Sequence, residues 1–429
     1  MTQPDPTNPR LAAGDTATVT ITRPCHGGGG IGELPDGRVV MVADALPGDV
    51  AEVRVTRSKK SFALAEIVSL TPSDIRVPQR CPAAAAGAGC CDFGHVDPDA
   101  APELKKDVVT DQLRRIGRLD VGKTPPAGGI TVATAKPYQG WRTRVRLGVD
   151  DEGRAGLRAA KSNRIITSRC AQTVPGLTDG IIGDDAARFT PGMEVVAVID
   201  GLGRRHVVEV PRPGRGKRAT ASKATVIEGT GEVTETLGEL AWRLPATAFW
   251  QAHTAAPGLL AEAISRLTAE GLRVVDPTLT DDRSAGWDLY GGAGVFAPAL
   301  GEALEEAVGE DVTVYSVEAS AAAAASGRQA LADIPVTFVT GDVAAAVAQL
   351  PAPLGVVCDP PRTGAGEKAI AACAAAAPPV VVHLGCDAAT FARDTGSWMA
   401  HGYRLHRLEI IDTFPGTHHV ESIGLFVRN

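Results

Sequence analysis

Five short apolar runs in the C-terminal third each end in residues able to do chemistry. AGWDLYG leads into Asp288-Leu-Tyr-Gly-Gly-Ala-Gly-Val-Phe296, VTVYSVEAS into Glu318, VTFVTGD into Gly341-Asp342, LGVVCDPP into Asp359-Pro360-Pro361-Arg362, and VVVHLGC into Cys386. Beyond them, Asp412-Thr-Phe-Pro-Gly-Thr-His-His-Val-Glu421 gathers Thr417, His418, His419 and Glu421. In an open α/β sheet, ligands bind at the carboxyl ends of strands, which is where these residues fall. Gly291, Gly292 and Gly294 let the backbone bend tightly and approach a ligand. Glu318 is placed to accept from ribose hydroxyls, and Asp342 from an adenine amino group. Such acids describe a nucleoside better than a pyrophosphate. The turn Gly292-x-Gly294-x-x-Ala297 also fits a dinucleotide fingerprint, so on these residues alone an NAD site stays open.

A cysteine and a carboxylate together suit one demanding reaction. Uracil C5 is too weak a nucleophile to take a methyl from a sulfonium, but thiolate addition at C6 makes C5 enolate-like. A base must then remove the C5 proton so that the thiol can leave. Cys386 is the expected nucleophile and Glu421 the expected base. A cysteine is more often a small buried hydrophobe, and a lone Glu is by default solvated; position at the ligand end of a strand sets Cys386 apart. A free thiol has a pKa near ~8.5 and needs help to ionise, and Asp387 reads as a cap that brings a helix N-terminus to the sulfur. Two prolines fix Asp359 in an extended turn. Amino-methylating enzymes tend to carry an aromatic after such prolines, where this chain has Arg362. The chemistry also asks for a base flipped out of its stack, so single-stranded RNA loops are the expected targets.

The elements that must position these residues can be read in outline. At 429 residues, 44% hydrophobic and 22% charged, the chain has the composition of a soluble protein of two or three domains. No apolar run approaches the roughly 20 residues of a membrane span, and the polar start MTQPDPTNPR lacks a secretory signal. A cytoplasmic location is expected, with no membrane and no obligate protein partner implied. Residues 1–265 hold 33 Lys+Arg against 30 Asp+Glu, and residues 266–429 hold 10 against 20, so the front suits a polyanion better than the back. Residues 1–13 read as a disordered tail. From 14 to 71, alternating apolar and polar residues between Gly, Pro and Asp turns predict about five strands of a small OB-like barrel, a shape that often binds oligonucleotides.

Residues 72–254 read as a mixed, mainly β central domain with a cysteine-rich loop. Within it, residues 102–118 predict an amphipathic helix able to pack on the C-terminal domain. Arg142, Arg144 and Arg146 alternate on one strand face that could meet phosphates, and the stretch Arg212 to Lys223 is rich in Arg and Lys. From 255 to 429, strands alternate with Ala-rich helices, as in βαβ units around a mainly parallel, Rossmann-like sheet.

The motifs Phe249-Trp250-Gln251, DLYGGAG, DPPRTG, GCDAATFARD and DTFPGTHHVES, in this order, resemble the RNA uracil-C5 methyltransferase family that carries an N-terminal TRAM domain. The resemblance runs from about Gly14 to Arg428. It implies S-adenosylmethionine held or lined by Gln251, Tyr290, Val295, Glu318, Asp342 and Asp359, with Cys386 as nucleophile and Glu421 as base. It implies RNA as partner, ribosomal RNA favoured over transfer RNA, and a TRAM barrel that grips it. Many members also hold a [4Fe-4S] cluster; Cys81, Cys90, Cys91 and Cys170 would supply its thiolates. The spacing departs from the family pattern, because Ala88-Gly89-Cys90-Cys91 stands where a Cys-Gly-Gly-Cys loop is usual. Gly291 stands where Cys is common, and Gly385 where Ser is usual. The competing readings are an RNA-binding protein with an inactive methyltransferase fold, and methylation of an amino group or of cytosine C5.

Overall fold

The computed structural model describes residues 10–212, 224–280 and 283–429. Five strands, Thr16–Pro24, Gly30–Glu33, Val39–Val42, Val50–Ser58 and Phe62–Thr71, close into a barrel. Every second residue of Val50–Ser58 points inward, and Ala51, Val53 and Val55 are fully buried around the barrel core. Residues 10–13, expected in a tail, are tied down instead. Leu11 N–H donates to Asp36 Oδ2 at 3.0 Å, and Leu11 O accepts from Arg38 at 2.8 Å and from Ser58 at 2.9 Å.

The central region is a six-stranded sheet in the order Thr225–Glu228, Arg205–Val210, Glu194–Ile199, Arg144–Val149, Ala155–Arg158 and Ile165–Ile166, followed by a hairpin of Glu232–Leu237 and Leu240–Pro245. The arginine face does not await phosphates. Arg144 is ion-paired with buried Glu235 and donates to Ala248 O at 2.8 Å, Arg146 pairs with Glu194 at 2.9 Å, and the Arg142 guanidinium lies 4.7 Å from the Trp141 ring centroid. Glu235 and Glu194, the partners of Arg144 and Arg146, lie far along the chain, out of view of a periodicity argument. Most of the basic stretch Arg212 to Lys223 lies outside the described residues; Arg212 itself donates to Asn163 Oδ1 at 2.8 Å.

The C-terminal sheet has eight strands in the order Val336–Thr340, Thr313–Glu318, Ala285–Leu289, Pro353–Cys358, Val380–Gly385, Glu421–Arg428, Tyr403–Asp412 and Ile130–Thr134. Only Glu421–Arg428 runs antiparallel to its neighbours. The strands are apolar on both faces because helices cover both. Leu260, Leu267, Leu300 and Leu304 of helices Ala256–Val274 and Ala297–Val308 fill one core, and Phe391, Trp398 and Val109 of helices Ala388–Ala400 and Ala101–Arg115 fill the other.

Two elements from the expected central region therefore belong to this layer structure. Strand Ile130–Thr134 pairs in parallel with Tyr403–Asp412 at the sheet's edge, and helix Ala101–Arg115 buries Lys105, whose Nζ is 2.5 Å from Asp412 Oδ1. That helix stops at Arg115, short of the expected 118. Among the described residues no helix is long and apolar enough to cross a membrane.

Candidate active site

The turn after strand Ala285–Leu289 is built around a buried carboxylate. Asp288 Oδ2 accepts from Ser316 Oγ at 2.9 Å, while Asp288 Oδ1 is buried with no hydrogen-bond partner among the described residues. Burial pushes the Asp288 carboxyl up to about 7 despite the Ser316 bond, and the Glu318 charge adds to the shift. A Cβ on Gly291 would lie 2.2 Å from Asp288 Oδ2, so only glycine leaves that carboxylate where it is. Tyr290 sits at φ 61°, strained for a bulky side chain and typical of a ligand-facing turn. Glu318 draws the same turn inward, accepting from Gly292 N–H at 3.1 Å and Ser320 N–H at 2.6 Å.

Other expected ligand residues surround this turn less tightly. Asp342 is exposed, caps a short helical turn by accepting from Ala345 N–H at 3.2 Å, and lies 3.7 Å from Lys368 Nζ. Val295 is partly buried between two cores. Gln251 follows Trp250, which packs on Trp242, and Trp242 Nε1 donates to Ala293 O at 2.9 Å, docking the central hairpin on the glycine turn. An unpartnered buried carboxylate oxygen beside a glycine cradle fits a cationic nucleoside such as S-adenosylmethionine.

Cys386 follows one strand and Glu421 opens its neighbour. Strand Val380–Gly385 pairs antiparallel with Glu421–Arg428 down to Gly385 opposite Ser422, so the next position on each chain brings Cys386 opposite Glu421. Glu421 is buried and its Oε1 has no hydrogen-bond partner among the described residues. Burial, then the Asp359 charge, raises its carboxyl well above the usual range. Burial and then Asp288 push Asp359 up to about 7.

The Cys386 thiol is pushed up to about 12 by burial and by the Glu421 and Asp359 charges, with Arg362 opposing. The cap is real: Asp387 accepts from Ala389 N–H at 3.1 Å and Thr390 N–H at 2.9 Å. It does not give the expected depressed thiol, because burial among acids outweighs a helix terminus.

Asp394 braces the two reactive loops. Its carboxylate, fully buried, accepts from Ala365 N–H at 2.7 Å and Gly366 N–H at 3.2 Å, and pairs with Arg393 at 2.7 Å. Arg393 also donates to Thr363 O at 2.9 Å, and Thr390 Oγ1 donates to Arg362 O at 3.1 Å. The DPPRTG loop and the helix after Cys386 thus form one piece.

Beside them opens a cavity of about 120 Å³ lined by Cys386, Arg362, His418, His419, Val108 and His26. His26 comes from the barrel, and its Nε2 is 3.4 Å from Asp387 Oδ2, an acid that raises the imidazole's proton affinity. Asp92, next to Cys91, accepts from His418 N–H at 2.9 Å and also bonds the His418 ring. Asp394 closes the GCDAATFARD motif, but what His26, Asp92 and Asp394 hold in place is set by partners distant in the chain, out of view of the sequence alone.

Three of the four candidate metal ligands meet, and the fourth, Cys90, adjoins them. Cys81, Cys91 and Cys170 are buried, with sulfurs all within 4.8 Å of one another, and Cys90 Sγ is 3.8 Å from Cys91 Sγ. Ala171 N–H points at Cys81 Sγ at 3.4 Å.

This arrangement has relatives. Residues 10–68 match the TRAM domain. A Corynebacterium glutamicum protein named as an RNA methyltransferase is 48% identical, covering 97% of this chain and 98% of its own length. One so named from Corynebacterium efficiens is 49% identical over 99% and 97%, and one from Streptomyces coelicolor 31% over 97% and 94%. The chain belongs to this family of RNA methyltransferases. Among solved structures, the Pyrococcus abyssi tRNA (uracil-54, C5)-methyltransferase in complex with S-adenosyl-L-homocysteine is similar with a TM-score of 0.66, covering 95% of this chain and 99% of its own, at 18% identity. That likeness is one of fold, over nearly the whole of both chains. In this RNA methyltransferase the strand-end residues expected from sequence converge on the glycine turn and the Cys386 cavity, with Asp342 the most peripheral.

Proposed function

We propose that the protein transfers a methyl group from S-adenosylmethionine to C5 of a uridine in RNA, through a covalent bond between Cys386 and C6. The observation that carries this reading is Cys386 opposite buried Glu421 at the rim of a small cavity. The cofactor supplies an electrophilic methyl group. Gln251, Tyr290, Val295, Glu318, Asp342 and Asp359 hold it, with the acids suited to its ribose, amino group and positive charge. Cys386 Sγ, once its proton has passed to solvent, adds to C6 of a flipped uracil as the thiolate, with the electron pair passing to C5 and O4. Once C5 is methylated, Glu421 in its ionised form, which burial makes the stronger base, takes the C5 proton, the C5–C6 double bond re-forms and the thiolate leaves. Arg362 and His26 line the space where the base would sit, and Arg362 offsets the acids around the sulfur.

The Pyrococcus abyssi protein, by its name, acts at C5 of a tRNA uracil, which supports the position methylated. Ribosomal RNA is the proposed substrate, on the strength of the TRAM barrel, with transfer RNA the alternative. The cytoplasm is the proposed compartment. Cys81, Cys90, Cys91 and Cys170 are proposed as a metal site, for which the family resemblance offers a [4Fe-4S] cluster.

The test is incubation with labelled S-adenosylmethionine and separated ribosomal and transfer RNA from a strain lacking the gene. Label in 5-methyluridine supports the reading; label only in a methylated purine or cytidine ends it. Glu421→Gln should accumulate a covalent RNA adduct, and Cys386→Ala should form none.

A further inference from the structure

Three of the four cysteines, Cys81, Cys91 and Cys170, stand too close for a four-iron cluster, with sulfurs all within 4.8 Å of one another, and Cys90 Sγ adjoins them at 3.8 Å from Cys91 Sγ. In a [4Fe-4S] centre each thiolate takes its own iron at a separate corner, and the inorganic core holds the sulfurs apart. Here Cys91 and Cys170 sulfurs are 3.8 Å apart, Cys81 and Cys170 4.0 Å, and Cys90 and Cys91 3.8 Å. No cubane fits between sulfurs in contact. A tetrahedral zinc ion with Zn–S bonds of ~2.3 Å puts neighbouring sulfurs about 3.8 Å apart.

The loop is not free to spread. Gly89 N–H donates to Arg158 O at 3.0 Å, Ala160 N–H donates to Gly87 O at 3.3 Å, and Ala88 bridges to Ala159. A Cβ on Gly89 would lie 2.8 Å from Ala160 Cα, so the backbone is pressed against the strand that follows Ala155. The sequence adds a constraint: Cys90 abuts Cys91 and their sulfurs are 3.8 Å apart, which suits two thiolates on one ion better than two on separate corners of a cluster.

We propose that Cys81, Cys90, Cys91 and Cys170 bind a single zinc ion as a closed, structural thiolate site in place of the cluster. The inference rests on the reading of these cysteines as a metal site and not on which base is methylated. The ion would join three chain segments and hold the turn that carries Asp92. Asp92 bonds His418, and Phe93 N–H donates to Gly416 O at 3.0 Å, so the site anchors the loop that leads to Glu421.

The experiment is elemental analysis of the full chain purified both aerobically and anaerobically, with acid-labile sulfide and the visible spectrum recorded. The expected result is colourless protein with a single zinc per chain and neither iron nor sulfide, and cobalt exchange should give the visible bands of tetrahedral cobalt thiolate. Brown anaerobic protein with iron and sulfide in equal amounts would overturn the proposal, as would metal-free protein that takes up no zinc. Cys90→Ser should lose zinc to a chelator at least tenfold faster than the wild type. Should that variant not fold, zinc release from the wild type on titration with a thiol-blocking mercurial gives the same answer. Metal content is read without any methylation, so a zinc protein inactive on uridine would sink the uridine reading and leave this one standing.

Discussion

Cys386 and Glu421 stand one position beyond Gly385 and Ser422, the last pair of an antiparallel ladder, near enough for the Glu421 charge to act on the Cys386 thiol. The ladder brings the two groups near each other, and burial raises the proton affinity of both.

Glu421 therefore has a stability signature separable from activity. Its folded carboxyl holds a proton more tightly than in the unfolded chain, where it titrates near ~4.3. A group with a raised folded pKa loses its stabilising contribution as pH rises through that pKa. Glu421→Gln should melt higher than the wild type at about pH 8, with the difference vanishing at about pH 4. Calorimetry at the two pH values checks this; an equal shift at both would show that the acid is not held protonated by burial.

Lys105 and Asp412 form a buried pair at 2.5 Å, and Lys105 Nζ also lies 3.3 Å from Phe414 O. Removing one partner strands the other charge, at a cost of about 3–5 kcal/mol. Lys105→Met should lower urea stability by that amount, and Asp412→Leu added to it should recover part of the loss.

Gly385 explains one departure from the family pattern. A Cβ there would lie 2.9 Å from both Cβ and Cδ2 of Phe391, so the serine usual at this position does not fit under this phenylalanine ring. Gly385→Ser should destabilise by about 1–3 kcal/mol, and Phe391→Ala in the same chain should reduce that added cost. Denaturation of the four-variant cycle measures the coupling.

His26 brings the barrel into the reaction cavity. His26→Ala should reduce adduct formation with RNA in the Glu421→Gln background several-fold while leaving S-adenosylmethionine affinity unchanged. A gel-shift of the adduct beside calorimetric cofactor titration separates the two; loss of cofactor binding would place His26 elsewhere in the mechanism.

The strand-end chemistry was legible because each reactive residue follows an apolar run, and sheet geometry fixes where such residues go. Asp288, Glu318, Asp359 and Cys386 needed no distant partner to be seen. Strand Ile130–Thr134 was not legible as part of the catalytic sheet, since its neighbour Tyr403–Asp412 lies far along the chain and parallel pairing leaves no local signature. The arginine face misled for the same reason: Glu194 and Glu235, which neutralise it, are remote in sequence. The helix cap at Asp387 was correctly placed, but its effect on Cys386 depended on burial and on two acids that only folding brings near.

Strand Glu421–Arg428 lies inside the sheet, between Val380–Gly385 and Tyr403–Asp412, and not at its edge. A ribosome delivers the barrel, the cysteine loop and the glycine turn long before this strand. Until it inserts, Tyr403–Asp412 can pair only with Ile130–Thr134, and Cys386 lacks the carboxylate proposed as its base. If Glu421 has that role, a chain halted before residue 421 would hold the barrel, the cysteine loop and the glycine turn without the partner the reaction needs, so competence would wait for this one strand.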